Sequence, residues 1–78
     1  MASQQTVERG RQQRRRILQF VQEYWATNGM GPSLDEVAAA LELGRTTVRH
    51  HVLKLEAEGA LRRNEGRYRS LRPNKEDQ

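Results

Sequence analysis

The sequence contains no cysteine and no long apolar run, and each absence excludes a class of protein. Without cysteine the chain forms no disulfide, performs no thiol chemistry and offers no thiolate ligand to zinc. No apolar stretch approaches the roughly 18 residues of a membrane helix, and no signal peptide opens the chain. We therefore expect a soluble cytoplasmic protein.

Patterns typical of catalysis or metal binding are also missing. His50 and His51 are adjacent, so on a helix they point to different sides, and no Asp or Cys accompanies them at ligand spacing. Ser3, Ser33 and Ser70 fall in a predicted tail, cap and strand. The run GRTT lacks the pattern of a phosphate-binding loop. We expect neither enzymatic activity nor a cofactor.

The 78 residues suffice for one small domain, and their charge is unevenly distributed. Residues 9–16 carry five Arg and no acid, and residues 45–72 carry seven Arg and one Lys against three Glu. Each of these segments has a net charge of +5, whereas residues 17–44 hold four acids and no base. The planar guanidinium of Arg can form a bidentate hydrogen-bonded contact with phosphate or guanine, which the ammonium of Lys matches less well. The clustering favours a polyanionic partner over a merely solvated charged surface.

The first predicted helix runs from about Arg11 or Gln12 to Thr27. Asn28-Gly29 ends it, because both residues tolerate the left-handed conformation of a helix terminus. Residues 1–11 have little apolar content and are predicted to be a flexible basic arm. The apolar residues recur at helical spacing and are expected to face the core, Tyr24 and Trp25 included: Ile17, Leu18, Phe20, Val21, Tyr24 and Trp25.

The stretch Ser33–Leu55 predicts two short helices joined by a tight turn. Ser33 and Glu36 form a capping box that starts the second helix. Gly44 is the expected N-cap of the third helix, which runs from Arg45 to about Glu58. The residues expected to face inward are Leu34, Val37, Ala38 and Leu41 on the second helix and Val48, Val52 and Leu55 on the third, with His51 at the edge of the stripe.

After Gly59, which is expected to end the third helix, the pattern changes to that of a β-hairpin. Residues 60–63 and 67–71 are the predicted strands, and residues 64–66 form a turn that contains glycine. Leu61 and Leu71 are expected to anchor the hairpin to the helices.

Three helices followed by a basic hairpin make a winged helix-turn-helix. The predicted fold is therefore mostly α with a small two-stranded wing, and it spans residues 12–72. Residues 73–78 are predicted to be a disordered tail.

The amino end of the third helix has the composition of a helix that reads DNA. Such a helix enters the major groove, where its first residues reach base edges. Arg45 and Arg49 lie four residues apart on one face, and either could fork onto guanine. Wing arginines suit the backbone or minor groove, and the start of the second helix suits a phosphate. The candidate DNA-binding residues are Arg14, Ser33, Arg45, Thr46, Thr47, Arg49, His50, Arg62, Arg67 and Arg69.

Two segments of the chain resemble a known family. RRRILQFVQEYWATNGMGPSLDEVAAAL resembles the LexA-type DNA-binding domain, in which a long first helix ends in Asn-Gly before Pro-Ser or Pro-Thr and a capped second helix. GRTTVRHHVLKLEAEGAL resembles the recognition helix of winged-helix repressors at large. The resemblance covers about residues 12–72 and implies a sequence-specific DNA-binding module, a small stand-alone repressor or another regulator.

The sequence departs from the LexA pattern in three respects. These 78 residues hold no counterpart of the self-cleaving peptidase domain with its Ser/Lys dyad, so self-cleavage and dimerisation through that domain are not expected. Glu42 replaces the usual glycine of the turn. The recognition segment is slightly shorter and carries Arg-Thr-Thr and Arg-His, so we expect a different cognate DNA sequence.

Double-stranded DNA is the expected partner, and binding as a homodimer to paired half-sites and binding to a regulatory protein remain open. The competing interpretation is a winged-helix protein-interaction module, such as an antirepressor or an assembly adaptor. Structured RNA is a weaker alternative, because Tyr68 is the one aromatic residue expected to be exposed. No membrane partner is expected, and the predicted location is the nucleoid within the cytoplasm.

Overall fold

The computed structural model describes residues 4–63 and 71–74, with side chains from residue 8 onward. Three helices are followed by a two-stranded antiparallel sheet. The elements are α1 (Gln4–Asn28), α2 (Leu34–Leu41), α3 (Arg45–Ala57), β1 (Leu61–Arg62) and β2 (Arg72–Pro73). The predicted winged helix-turn-helix is confirmed.

One apolar core joins the helices and the sheet. Its buried side chains are Ile17, Val21, Val37, Ala38, Val48, Val52, Leu55, Leu61 and Leu71. Around them pack half-buried residues that include Leu34 and Leu41, so the inward-facing positions predicted for α2 and α3 are confirmed. Leu61 and Leu71 are each 2% exposed and anchor the sheet to the helices, as predicted.

The two aromatic residues near the end of α1 lie at the margin of this core. Tyr24 is half-buried, with its ring 5.9 Å from that of Phe20 and its hydroxyl donating to Oε2 of Glu36 at 3.3 Å. Trp25 is also half-buried, and both residues lie outside the core cluster, so their predicted core positions are wrong. Both follow Val21, the last buried residue of α1, and lie towards the carboxyl end of the helix.

α1 begins at Gln4, so the start predicted near Arg11 is wrong. The prediction relied on the scarcity of apolar residues before residue 12. Once a helix exists, however, each added residue gains one hydrogen bond, and Gln and Arg are good helix formers. Gly10 lies inside the helix without ending it. The predicted carboxyl end is confirmed, because the helix ends at Asn28 and Gly29 has a φ of +70°.

α2 begins with the predicted capping box. Oγ of Ser33 accepts from the backbone N–H of Glu36 at 3.0 Å, and Oε1 of Glu36 accepts from the N–H of Ser33 at 2.9 Å. At the other end of α2, Glu42 adopts the left-handed conformation, with φ 57° and ψ 44°. A glutamate therefore supplies the turn geometry that glycine usually provides, at a cost of roughly 1 kcal/mol.

The turn then leads directly into α3. Gly44 is the N-cap, in an extended conformation, and the helix starts at Arg45 as predicted. α3 ends at Ala57, and Glu58 is its C-cap. Gly59 follows with a φ of +83°, the left-handed conformation typical of a glycine that terminates a helix.

The second strand differs from the prediction. Leu61 pairs with Pro73 and Arg62 pairs with Arg72, so β2 follows the predicted segment 67–71 instead of coinciding with it. Only Leu71 of that segment is described, and the predicted turn at residues 64–66 lies outside the described residues.

The register between β1 and β2 depends on tertiary contacts. The alternation of apolar and polar residues along a strand does not reveal these contacts. Leu71 is drawn into the core, which leaves Arg72 and Pro73 to pair with β1. Pro73, predicted to open the tail, is tolerated here because proline can occupy an edge strand. Asn74 extends the contact, since its N–H donates to the Ala60 carbonyl at 3.2 Å and its side chain to the Gly59 carbonyl at 2.7 Å.

Within the described ranges, none of the helices combines the length and hydropathy that a membrane span requires. The same part of the chain holds no group of three His, Asp or Glu side chains arranged to hold a metal ion.

Candidate nucleic-acid interface

The amino end of α3 is an exposed polar stretch that buried residues of the same helix hold in place. Val48 is fully buried, as is Val52 one turn later, and Leu55 is almost so. These anchors hold the helix against the core and leave its remaining residues facing outward. All five α3 residues predicted to bind DNA are exposed: Arg45, Thr46, Thr47, Arg49 and His50.

The outward face of α3 has a cation on each flank. At about 100° per residue, Thr46, His50 and Leu53 lie opposite the buried stripe, with Arg49 on one side and Lys54 on the other. Leu53 is 44% exposed and places an apolar side chain on this face. An apolar group on such a face can contact a thymine methyl.

Leu53 and Lys54 were not among the predicted site residues. The signal that places Leu53 is the spacing of residues 46, 50 and 53, which repeats on one side of a helix and could have been read from the sequence. Both residues join the candidate surface.

Arg45 forms an ion pair across the helix-turn-helix. Its Nε lies 3.2 Å from Oδ1 of Asp35, and the two side chains are 69% and 65% exposed. Asp35 lies in the first turn of α2 and Arg45 is the first residue of α3, so the turn brings the two helix starts together. An ion pair this exposed contributes little to the free energy of unfolding.

The side chain of Ser33 is engaged within the fold, and the phosphate contact predicted at the start of α2 stays a prediction. The side chain is 4% exposed, and its Oγ is engaged in the capping box. The carboxylates of Asp35 and Glu36 in the same turn would also repel a phosphate. The side chain of Ser33 therefore stabilises the start of α2.

A side-chain hydrogen bond joins α1 to α3 beside this surface. Nε2 of His51 lies 2.8 Å from Oε1 of Gln13. A neutral imidazole that carries its proton on Nε2 donates this hydrogen bond to the Gln13 side-chain oxygen. Burial lowers the pKa of His51, and the charges of Arg14, His50 and Lys54 lower it further. Arg14 therefore lies close enough to the Lys54 flank of α3 to add its charge there.

Two further arginines have structural partners. Nη2 of Arg16 donates to the Leu41 carbonyl at 3.5 Å, at the carboxyl end of α2, where a cation is favourable. Nη2 of Arg63 lies 3.5 Å from Oε1 of Glu56, with both side chains largely buried. Each of these two arginines thus has a partner within the fold.

The base of the wing is a second cationic region. Arg62 and Arg72 are exposed and pair directly across the two strands. Like charges in directly paired positions repel each other, so an anion between them would be favourable. Both line an open concave surface together with Glu56, Leu61 and Arg63. The predicted site residues Arg67 and Arg69 lie outside the described residues.

Comparison with known proteins agrees with this arrangement. Residues 9–70 match the family model described as the LexA DNA binding domain. Over 60 residues the chain is 35% identical to a LexA repressor of Carboxydothermus hydrogenoformans, a match that covers 76% of this chain and 29% of that protein. The chain thus spans less than a third of the length of that relative. With the match covering most of the sequence and the three helices and paired strands in the expected order, the chain belongs to the LexA DNA-binding domain family.

Proposed function

We propose that the chain is a sequence-specific double-stranded DNA-binding module of a transcriptional regulator, and that it acts as a repressor. The observation that carries the proposal is the amino end of α3, where five polar residues are exposed beside the fully buried Val48. That arrangement presents guanidinium, hydroxyl and imidazole groups on a rigid helix of the size that the major groove accepts. The repressor role is supported by the LexA repressor relative.

Two sets of residues have different tasks in this proposal. Arg45, Thr46, Arg49 and His50 face base edges and determine which sequence is bound. Arg62, Arg72 and Lys54 contact phosphates, and so contribute affinity without sequence preference. A single module of this size buries limited surface, so we propose that two copies bind paired half-sites.

Selection from a random duplex library tests the proposal. We expect an enriched motif, with palindromy and spacing that report the number of copies bound. Affinity for the selected duplex should fall steeply as salt rises, because bound arginines release counterions from the DNA. If no duplex is enriched at moderate salt, the proposal is wrong. The competing interpretation, a protein-interaction module, predicts that outcome together with salt-dependent binding to an acidic protein.

The two sets of residues can be separated by substitution. Arg49→Ala should cost roughly 1–3 kcal/mol of binding free energy on the selected duplex and relax preference at one position. Arg62→Ala is the matched control, since it removes one exposed arginine from the wing. It should weaken binding to all duplexes alike, which titration against the selected and scrambled duplexes would measure. Equal profiles for the two variants would contradict the assignment.

A further inference from the structure

The ion pair between Asp35 and Arg45 places an acid directly beside the cationic amino end of α3. Beside DNA such an acid is unfavourable, because it repels phosphate. It also adds little to stability at this exposure. Asp35 therefore needs a role that outweighs its repulsion of the backbone.

The geometry of the contact indicates that role. A guanidinium carries five N–H groups, one on Nε and four on the two terminal nitrogens. The Asp35 carboxylate engages Nε at 3.2 Å, on the side of the guanidinium. Both terminal nitrogens of Arg45 remain available, in the fork that matches O6 and N7 of guanine.

The surroundings of Arg45 strengthen the case. Arg45 is the first residue of α3, at the positive end of the helix dipole, and the first turn of α3 contains no acid. Gly44 caps the helix without a side-chain hydrogen bond. Asp35 is the carboxylate placed to offset that field. Its own side chain is short, with few rotamers, and it is mounted on a capped helix.

We propose that Asp35 is a positioning residue for DNA recognition, which holds Nε of Arg45 so that the terminal nitrogens meet one guanine end-on. The proposal rests on the proposed function, because it presumes that α3 reads bases. It assigns the sequence preference at one base pair to two residues from two helices. Arg45 makes the contact, and Asp35 restricts the orientation in which it is made.

The test compares affinity and discrimination in Asp35→Asn. The substitution keeps the shape of the side chain and removes its charge. Affinity for scrambled duplexes should hold or rise, because an acid near phosphate is lost. The preference for guanine over other bases at one position of the selected duplex should fall about two- to tenfold. A purely structural role would not produce these opposite changes.

Three further variants make the result specific. Glu42→Gln removes an exposed charge from the turn between α2 and α3. Among the described residues, the Glu42 carboxylate forms no ion pair. It should leave discrimination unchanged. Arg45→Lys retains the charge but not the fork, so it should reduce preference at the same base pair as Asp35→Asn. In an Arg45→Ala background, Asp35→Asn should change preference at no position.

Each outcome separates this proposal from the one on which it rests. If Arg45→Ala reduces the preference at one base pair and Asp35→Asn reduces it nowhere, the positioning role is refuted while the DNA-reading role stands. If Asp35→Asn reduces preference at all positions equally, or does so in the Arg45→Ala background, the positioning role is again refuted. If the unmodified protein selects no duplex, the proposed function itself fails. Thermal unfolding of each variant confirms that the fold is retained.

Discussion

Single residues decide how closely the chain can pack, and Gly31 is the clearest case. It is buried, and a Cβ built on it would lie 1.8 Å from the carbonyl oxygen of Leu71. The obstacle is backbone, which cannot rotate out of the way as a side chain could. The segment between α1 and α2 thus depends on glycine to let the chain before β2 cross it.

Gly31→Ala should therefore lower the free energy of unfolding by about 3 kcal/mol or more, since added volume displaces backbone at a packed crossing. Urea denaturation followed by circular dichroism measures this loss. The loss should be accompanied by weaker packing of Leu71, visible as changed chemical shifts of its methyl groups. A cost below about 1 kcal/mol would show that the crossing is looser than described.

Among the elements, α1 is the one whose extent differs most from its sequence signal. The apolar stripe begins at Ile17, yet the helix begins at Gln4. Gly10 lies in the part of α1 that the sequence predicted to be a flexible arm. A helix and a flexible arm predict different effects of substitution at this position. In a helix, alanine is favoured over glycine by roughly 0.5–1 kcal/mol.

We expect Gly10→Ala to raise the free energy of unfolding by up to about 1 kcal/mol. The new methyl group would meet the flexible end of Arg14, 3.2 Å from its Nη1, and would lie at ordinary contact distance, 4.0 Å, from Cε1 of His51. Thermal denaturation measures the change. Ala26→Gly, at an exposed site inside the undisputed part of α1, is the matched reverse substitution and should cost about 1 kcal/mol. If Gly10→Ala has no effect while Ala26→Gly does, the helix starts after residue 10.

At the scale of the whole molecule, His51 links α1 to α3. Its hydrogen bond to Gln13 joins positions 38 residues apart, next to Arg14, His50 and Lys54. Protonation would place a further positive charge among these groups. The link therefore makes the packing of α1 on α3 depend on pH.

The sign of the pH effect follows from the lowered pKa of His51. Above its ordinary value of 6.5 the ring is neutral in both states, and the contribution to stability is fully present. As pH falls below 6.5 the unfolded chain takes up the proton first, so stability is lost until the folded pKa is passed. Desolvation is the main cause and the neighbouring cations are secondary.

We expect the melting temperature to fall between pH 7.5 and pH 5.5, and to fall less in His51→Gln. Glutamine can still donate to Gln13 but does not titrate in this range. His50→Gln is the control, since it alters the adjacent exposed imidazole and should retain most of the pH dependence. Equal dependence in all three proteins would contradict the role of His51.

Local sequence signals specified much of this protein. The capping box of Ser33 and Glu36, the glycine ends of α1 and α3, and the inward stripe of α3 depend on residues a few positions apart. Such interactions lie within one or two helical turns, so their pattern is visible in the chain. The same reasoning predicted which α3 residues would be exposed.

Tertiary structure decided what local pattern could not. The register of β2, the marginal position of Trp25 and the need for glycine at position 31 all follow from which distant segment packs there. The burial of Ser33, at 4% exposure, also follows from the packing around the start of α2. The pairing of Asp35 with Arg45 likewise required the turn to bring two helix starts together. All of these features depend on contacts between residues that lie far apart in the chain, or on which side of a helix the fold buries.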